Sequence, residues 1–268
     1  MITRYLTQNP CYQQGRKIAV KGLMLHSVGV PQPDPLVFIR IWDSPTYDRA
    51  CVHGFIGRDE CYVTLPVFER HGAAFRGWHG GGSSNNGYIG VEMCEPSTIR
   101  YTGGASFEVK DRAAAVAFVE KTTRRAVELF ADLCRFHDLD PLADGVILSH
   151  AEGHQRGIAS NHGDPDHLWR GLGMDYDMDR FRADVAAAMK GEEMVDIGAL
   201  IAEMTDEQAY ALVQKAQRYS ESLPEPPWSQ KEGHWKRATE AGIVDGKSPE
   251  RPMKRDEVIA VLGRKELL

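Results

Sequence analysis

The chain has 268 residues, 42% of them apolar and 26% charged, with a formal net charge of -6. That is room for one large domain and a small second one, and enough chain to bury a core without disulfide staples. The mild acidity argues against a nucleic-acid backbone as partner, which calls for clustered Lys and Arg. No stretch approaches the roughly 18 apolar residues of a membrane span.

Five cysteines, Cys11, Cys51, Cys61, Cys94 and Cys134, are odd in number and form no C-x-x-C pair. Neither a disulfide framework nor a thiolate zinc knuckle is expected, and folding in a reducing cytoplasm is the simplest reading. The opening MITRYLTQNPCYQQGRK has no apolar h-region, so synthesis without a signal peptide is expected.

In chain order, residues 21–27 (KGLMLHS) form a short apolar run with a histidine near its end, read as a buried strand. Residues 62–65 (YVTL) and 88–93 (YIGVEM) are β-branched and aromatic, again strand-like. Residues 111–137 give the clearest helix. Asp111 can cap it, and Ala115, Phe118, Val119, Thr122, Ala126, Leu129, Phe130 and Leu133 form a one-sided apolar stripe. Residues 146–149 (VILS) read as a strand and 178–189 as a helix. Strands alternating with helices predict an α/β fold, a mixed central β-sheet flanked by helices. After Gly191 the composition changes. The expected division is 1–190 as catalytic domain, 191–227 as helical linker and 228–268 as a small helical module, with a Pro-rich break, LPEPPW, at 223–228.

Three places carry chemistry. His26 sits at the end of an apolar strand, where α/β folds build their sites. The segment 146–169, VILSHAEGHQRGIASNHGDPDHLW, places His150 at another strand end and then His154, His162, Asp164 and His167 in a Gly/Ser/Asn-rich loop. A loop so rich in polar ligands is costly to bury unless a cation organises it. Two strand-end histidines and a loop carboxylate make a three-ligand zinc set with a fourth position open to water. No HExxH occurs, so a helix-borne metalloprotease site is not available. Third, Glu92 lies mid-strand among apolar neighbours. It is either a structural ion-pair partner or a general base with a pKa raised by burial. Glu95, beside Pro96, is expected at the surface.

The set LHSVG, GWHGG, NNGYIGVEMCEP and SHAEG…SNHGDPDHLW resembles the type-2 N-acetylmuramoyl-L-alanine amidases, relatives of the peptidoglycan recognition proteins, over roughly residues 20–170. The resemblance implies zinc held by His26, His150 and Asp164, with Glu92 as the catalytic carboxylate. Where many members carry an oxyanion-stabilising Lys, this chain has His162, which is either that donor or itself the third ligand. The DP context favours Asp164 as ligand. His79 is implied to face substrate, as is Asn86, although turn formation is the plainer role for Asn85 and Asn86. The expected function is zinc-dependent hydrolysis of the N-acetylmuramoyl–L-alanine amide of bacterial peptidoglycan by an endolysin-like protein, reaching the wall through a partner's pore or cell lysis. The alternatives are a non-catalytic peptidoglycan-binding module and a zinc amidase or peptidase acting on another small amide. The C-terminal GIVDG and RDEVIAVL weakly resemble surface-layer-homology segments, so residues 228–268 either bind wall or serve as a helical cap.

Overall fold

Gly22–Ser27 is a run of six residues without proline, and every one of them is buried. An apolar run covered on both faces is the pattern of a central parallel strand, and this strand, β3, has a neighbour on each side. The computed structural model describes residues 1–191, 204–222, 236 and 240. The chain divides into two compact units, Met1–Met194 and Val195–Leu268. In the first, chain order runs β1 (Ile2–Thr3), α1 (Pro10–Gln14), β2 (Lys17–Ala19), β3, α2 (Pro35–Trp42), β4 (Gly54–Ile56), β5 (Cys61–Val63), β6 (Ala73–Phe75) and β7 (Tyr88–Met93). There follow β8 (Ile99–Gly103), β9 (Ser106–Val109), α3 (Arg112–His137), β10 (Ile147–Ser149), α4 (His150–Gln155), α5 (Asp166–Gly171) and α6 (Met178–Met189). In the second unit α7 covers Asp206–Ser222.

Six strands make the main sheet in the order β1-β5-β4-β7-β3-β10. The neighbours β4-β7-β3-β10 run parallel, while β5 is antiparallel to β4. This is the mixed sheet with flanking helices that the element pattern predicts. Side-chain alternation then divides residues between the two faces. Leu23 and Leu25 of β3 join Ile89, Val91 and Met93 of β7 in a core shared with Phe118, Leu129, Phe130 and Leu133 of α3. Each fully buried Leu or Phe contributes about 1.5–3 kcal/mol of transfer free energy. His26, Gly90 and Glu92 fall on the opposite face. There Phe55, paired in register with Glu92, packs with Ile39 and with Phe38 and Trp42 of α2.

The long helix begins as its sequence predicts, with Asp111 accepting from the Ala114 N–H, and it ends at Asp138 in the left-handed region. Segment 150–169 is a correction. Instead of one loop it folds into α4 and α5. The reason is a capping box: the Ser149 side chain accepts from the Glu152 N–H while the Glu152 carboxylate accepts from the Ser149 N–H. Arg182 of α6 grips the same Glu152 with both terminal nitrogens, 2.9 and 3.0 Å. All five cysteines are free and buried. None of the described helices is long and apolar enough to cross a membrane. Apart from positions 236 and 240, residues 228–268 and the expectations that rest on them lie outside the described residues.

Candidate metal centre and active site

Sheet register builds half of the site. His26 pairs with Glu92 across β3 and β7, and Ser149 of β10 pairs with Leu25, so His150 emerges beside His26. Strands stand about 4.8 Å apart. Glu92, His26 and His150 therefore form a row at the carboxyl ends of three neighbouring parallel strands, the usual ligand position of open α/β sheets.

Asp164 closes the set from the segment between α4 and α5. Its Oδ2 lies 3.4 Å from His26 Nδ1, and its Oδ1 lies 3.6 Å from His150 Nδ1. It also accepts from the Ser27 N–H at 3.2 Å. One ligand atom from each of His26, His150 and Asp164 falls within 4.8 Å of the others. Burial alone would raise the Asp164 pKa, but the adjoining His150 and His26 outweigh it and hold the carboxyl below its ordinary range. The group is an anion.

The outer partners fix both tautomers. The Tyr88 carbonyl can only accept, so His79 Nε2–H donates to it at 3.0 Å and His79 Nδ1 is a lone pair. His26 Nε2–H therefore donates to His79 Nδ1 at 3.0 Å, which leaves a lone pair on His26 Nδ1. In the same way the Ser160 hydroxyl donates to the Gly80 carbonyl and accepts from His150 Nε2–H at 3.1 Å. That leaves a lone pair on His150 Nδ1. The two Nδ1 atoms face one another at 2.9 Å beside a carboxylate. Two lone pairs and an anion so close repel unless a positive charge sits among them. Burial keeps the His26 pKa low despite Asp164, so that imidazole is neutral. Two imidazole nitrogens and one carboxylate oxygen match zinc's ligand preference and leave a coordination position free, while outer hydrogen bonds of this kind orient metal-binding histidines.

Glycines make the arrangement sterically feasible. A Cβ on Gly90 would lie 2.2 Å from His79 Cγ, so only glycine at this point of β7 admits the imidazole. Ser160 N–H donates to Gly80 O at 2.8 Å, and Ser84 N–H donates to Ile158 O at 3.0 Å, clasping GWHGGG against the segment after α4.

A cleft of about 940 Å³ opens over the row and is lined by Trp42, Trp78, His79, Glu92, His150 and His162 among others. Glu92 Oε2 is shielded from solvent and has no hydrogen-bond partner. Burial, then the charges of Asp164 and Glu95, push the Glu92 carboxyl well above the usual range. His162 is exposed at the cleft, its ring edge-on to His150 at 4.5 Å. His79 lines the cleft, but its nitrogens are spent on His26 and Tyr88. Asn86 lies outside the cleft lining. It is exposed and its Oδ1 accepts from Arg76 Nε, whereas the buried Asn85 lines the cleft and accepts from the N–H groups of His79 and Gly80. A single step around the short helical turn Ser83–Asn86 separates the two, and composition could not choose between them. Glu95, expected at the surface, is fully buried, because its carboxyl is taken up by Gly29 and Tyr101.

A family model described as N-acetylmuramoyl-L-alanine amidase matches residues 15–167. The chain belongs to that family. The matched span contains His26, His79, Glu92, His150, His162 and Asp164 of this amidase. No curated protein matches the chain in sequence. Among solved structures, the Staphylococcus aureus hydrolase AmiA in complex with its ligand is 18% identical. That match covers 71% of this chain and 85% of that one at a TM-score of 0.52, which establishes a shared fold. A mutant endolysin from Bacillus subtilis is 19% identical over 69% of this chain and 97% of that one, with a TM-score of 0.46.

Proposed function

We propose that this amidase is zinc-dependent and hydrolyses the amide between N-acetylmuramoyl and L-alanine in bacterial peptidoglycan, in an endolysin-type role at the cell wall. The convergence of two lone-pair imidazole nitrogens and one carboxylate, beside an unpartnered buried acid in an open cleft, carries this reading. A zinc ion bound by His26, His150 and Asp164 would supply Lewis acidity, lowering the pKa of water and polarising an amide carbonyl.

The remaining work falls to the chain's own groups. Glu92 Oε2 takes a proton from the attacking water and delivers it to the leaving nitrogen. Its raised pKa suits a carboxyl that must both accept and release a proton near neutral pH. His162, exposed beside His150, donates to the oxygen on which charge develops, a contribution of about 2.7–4 kcal/mol for a donor of this kind. His79 and Ser160 keep the two liganding imidazoles in the required tautomer. Trp42 and Trp78 give the cleft apolar walls against which a sugar ring or peptide can pack.

Metal analysis of the purified chain together with mass spectrometry of fragments released from purified wall tests this reading. One zinc per chain and released peptides with a free N-terminal L-alanine are expected. Fragments cut within the peptide would replace the amidase assignment by a peptidase. Stoichiometric zinc with no fragments would replace it by a binding module.

A further inference from the structure

Glu95 is an expensive residue to keep where it is. Its side chain is fully buried, and burial pushes its carboxyl up to about 7 even against the hydrogen bonds from Tyr101 and Gly29. Neither the proposed ligand set nor the proton transfer uses it. Its two oxygens, however, reach different parts of the site. Oε1 accepts from the Gly29 N–H at 2.8 Å. Gly29 has a φ of +68°, a left-handed conformation natural to glycine, and it lies on the turn by which the chain leaves His26. Oε2 accepts from the Tyr101 hydroxyl at 2.8 Å. That hydroxyl also meets His167 Nε2 at 2.5 Å, and His167 follows Asp164 by three residues at the start of α5.

Tyr101 belongs to the β8–β9 hairpin, which leans on the Asp164 segment at further points. Phe107 of β9 meets the His167 ring edge-on at 6.0 Å. Gly171 of α5 lies so close to Phe107 that a Cβ there would be 2.5 Å from the ring. At the hairpin tip, Ala105 Cβ lies 3.5 Å from where a Cβ would stand on Gly163, the residue before Asp164. The hairpin thus backs the segment that delivers the third ligand, and Glu95 ties hairpin and segment to the exit of β3.

We propose that Glu95 is a positioning residue: through Gly29 on one side and Tyr101 and His167 on the other, it locks the two segments that bring His26 and Asp164 to one metal ion. The proposal rests on the zinc reading above. It explains why a carboxyl is held in the interior three residues from Glu92 without contributing to the cleft lining. It also gives the hairpin a role in metal binding, because removing the phenol oxygen of Tyr101 uncouples the Asp164 segment while leaving the aromatic packing in place.

The test compares unmutated protein, Tyr101→Phe, Glu95→Ala and Glu95→Gln. Zinc affinity is measured by chelator competition without substrate, and ligand geometry by the visible absorption of the cobalt-substituted forms. Thermal unfolding of the metal-free forms separates loss of folding from loss of metal. Tyr101→Phe is expected to weaken zinc about 10–100-fold, the usual range for outer-sphere partners, and to shift the cobalt bands, with metal-free unfolding little changed. Glu95→Ala should do the same or more. Glu95→Gln should recover part of the affinity, since its carbonyl can still accept from Gly29 and its amide can donate to Tyr101. Normal zinc affinity and unshifted cobalt bands in Tyr101→Phe would overturn the brace alone. An unmutated chain that binds no zinc would overturn the metal reading, and the brace with it.

Discussion

The site has two halves of different construction. Glu92, His26 and His150 stand at the ends of β7, β3 and β10, where parallel hydrogen-bond ladders fix their spacing. Asp164, Ser160, His79 and His162 come from connecting segments whose positions depend on side-chain and loop hydrogen bonds. The strand half is set by a pattern repeated along the whole sheet, so single changes there remove a group without moving its neighbours. The loop half depends on a few individual contacts, and single changes there should move several groups together.

The largest effect is expected in the strand half. His26→Ala should lose zinc and bring wall hydrolysis to background, as read by metal analysis and dye release. Glu92→Ala should keep one zinc per chain yet lower turnover by roughly 10²–10⁴-fold, the range for a general acid–base group. Loss of zinc in that variant would mean that Glu92 holds metal instead of moving protons. Gly90→Ala, made in β7 but aimed at the loop half, should push His79 off its lone-pair contact with His26 and weaken zinc binding, because the new Cβ has no room beside His79 Cγ. Ser160→Ala should weaken it by about tenfold, leaving His150 Nε2–H without its acceptor. A Ser160→Ala affinity equal to that of the unmutated protein would erase the distinction between the two halves.

A pH experiment probes the packing beneath both halves. Burial lowers the His53 pKa from 6.5 to about 4, with its Nδ1 accepting from the Gly90 N–H and its Nε2–H donating to Phe75 O. The unfolded chain takes up a proton on this residue below pH 6.5, whereas the folded chain does so only near pH 4. Stability contributed by neutral His53 is therefore present above pH 6.5 and is lost as pH falls toward 4, by up to about 3 kcal/mol. Calorimetric midpoints should fall over that window, and less steeply in His53→Gln. The smallest effect is expected for Asn86→Ala. Its exposed side chain lies outside the cleft, so kcat/KM should hold and stability should move by less than about 0.5 kcal/mol.

The same contrast explains what can be read from sequence. LHS and YIGVEM are legible because strand burial writes itself as runs of apolar residues, and a polar side chain at the end of such a run stands out. The helix at residues 112–137 is legible from its stripe and from Asp111. The α4 helix could have been found from Ser149 and Glu152, whose spacing is that of a capping box. Glu95 is misplaced by its sequence context, because a carboxylate next to Pro96 reads as a surface turn. Only the turn at Gly29, distant in sequence, and the fold-back that returns Tyr101 show what buries it. Asn85 and Asn86 are chemically identical, and only the direction of a short helical turn tells them apart. The β8–β9 hairpin, residues 99–109, is legible from the alternation Ile99/Tyr101 and Phe107/Val109 about Gly103–Gly104, but nothing in the sequence says that it leans on α5.

Because β3 and β7 lie inside the sheet with partners on both sides, neither can slide by one residue without turning Leu23 and Leu25, or Ile89 and Val91, out of the core. The chemistry is in this way tethered to the hydrophobic interior. A chain that has lost the alignment of its acid and its first imidazole has also lost its native packing. Under denaturant, the pairing of Glu92 with His26 should persist until global unfolding.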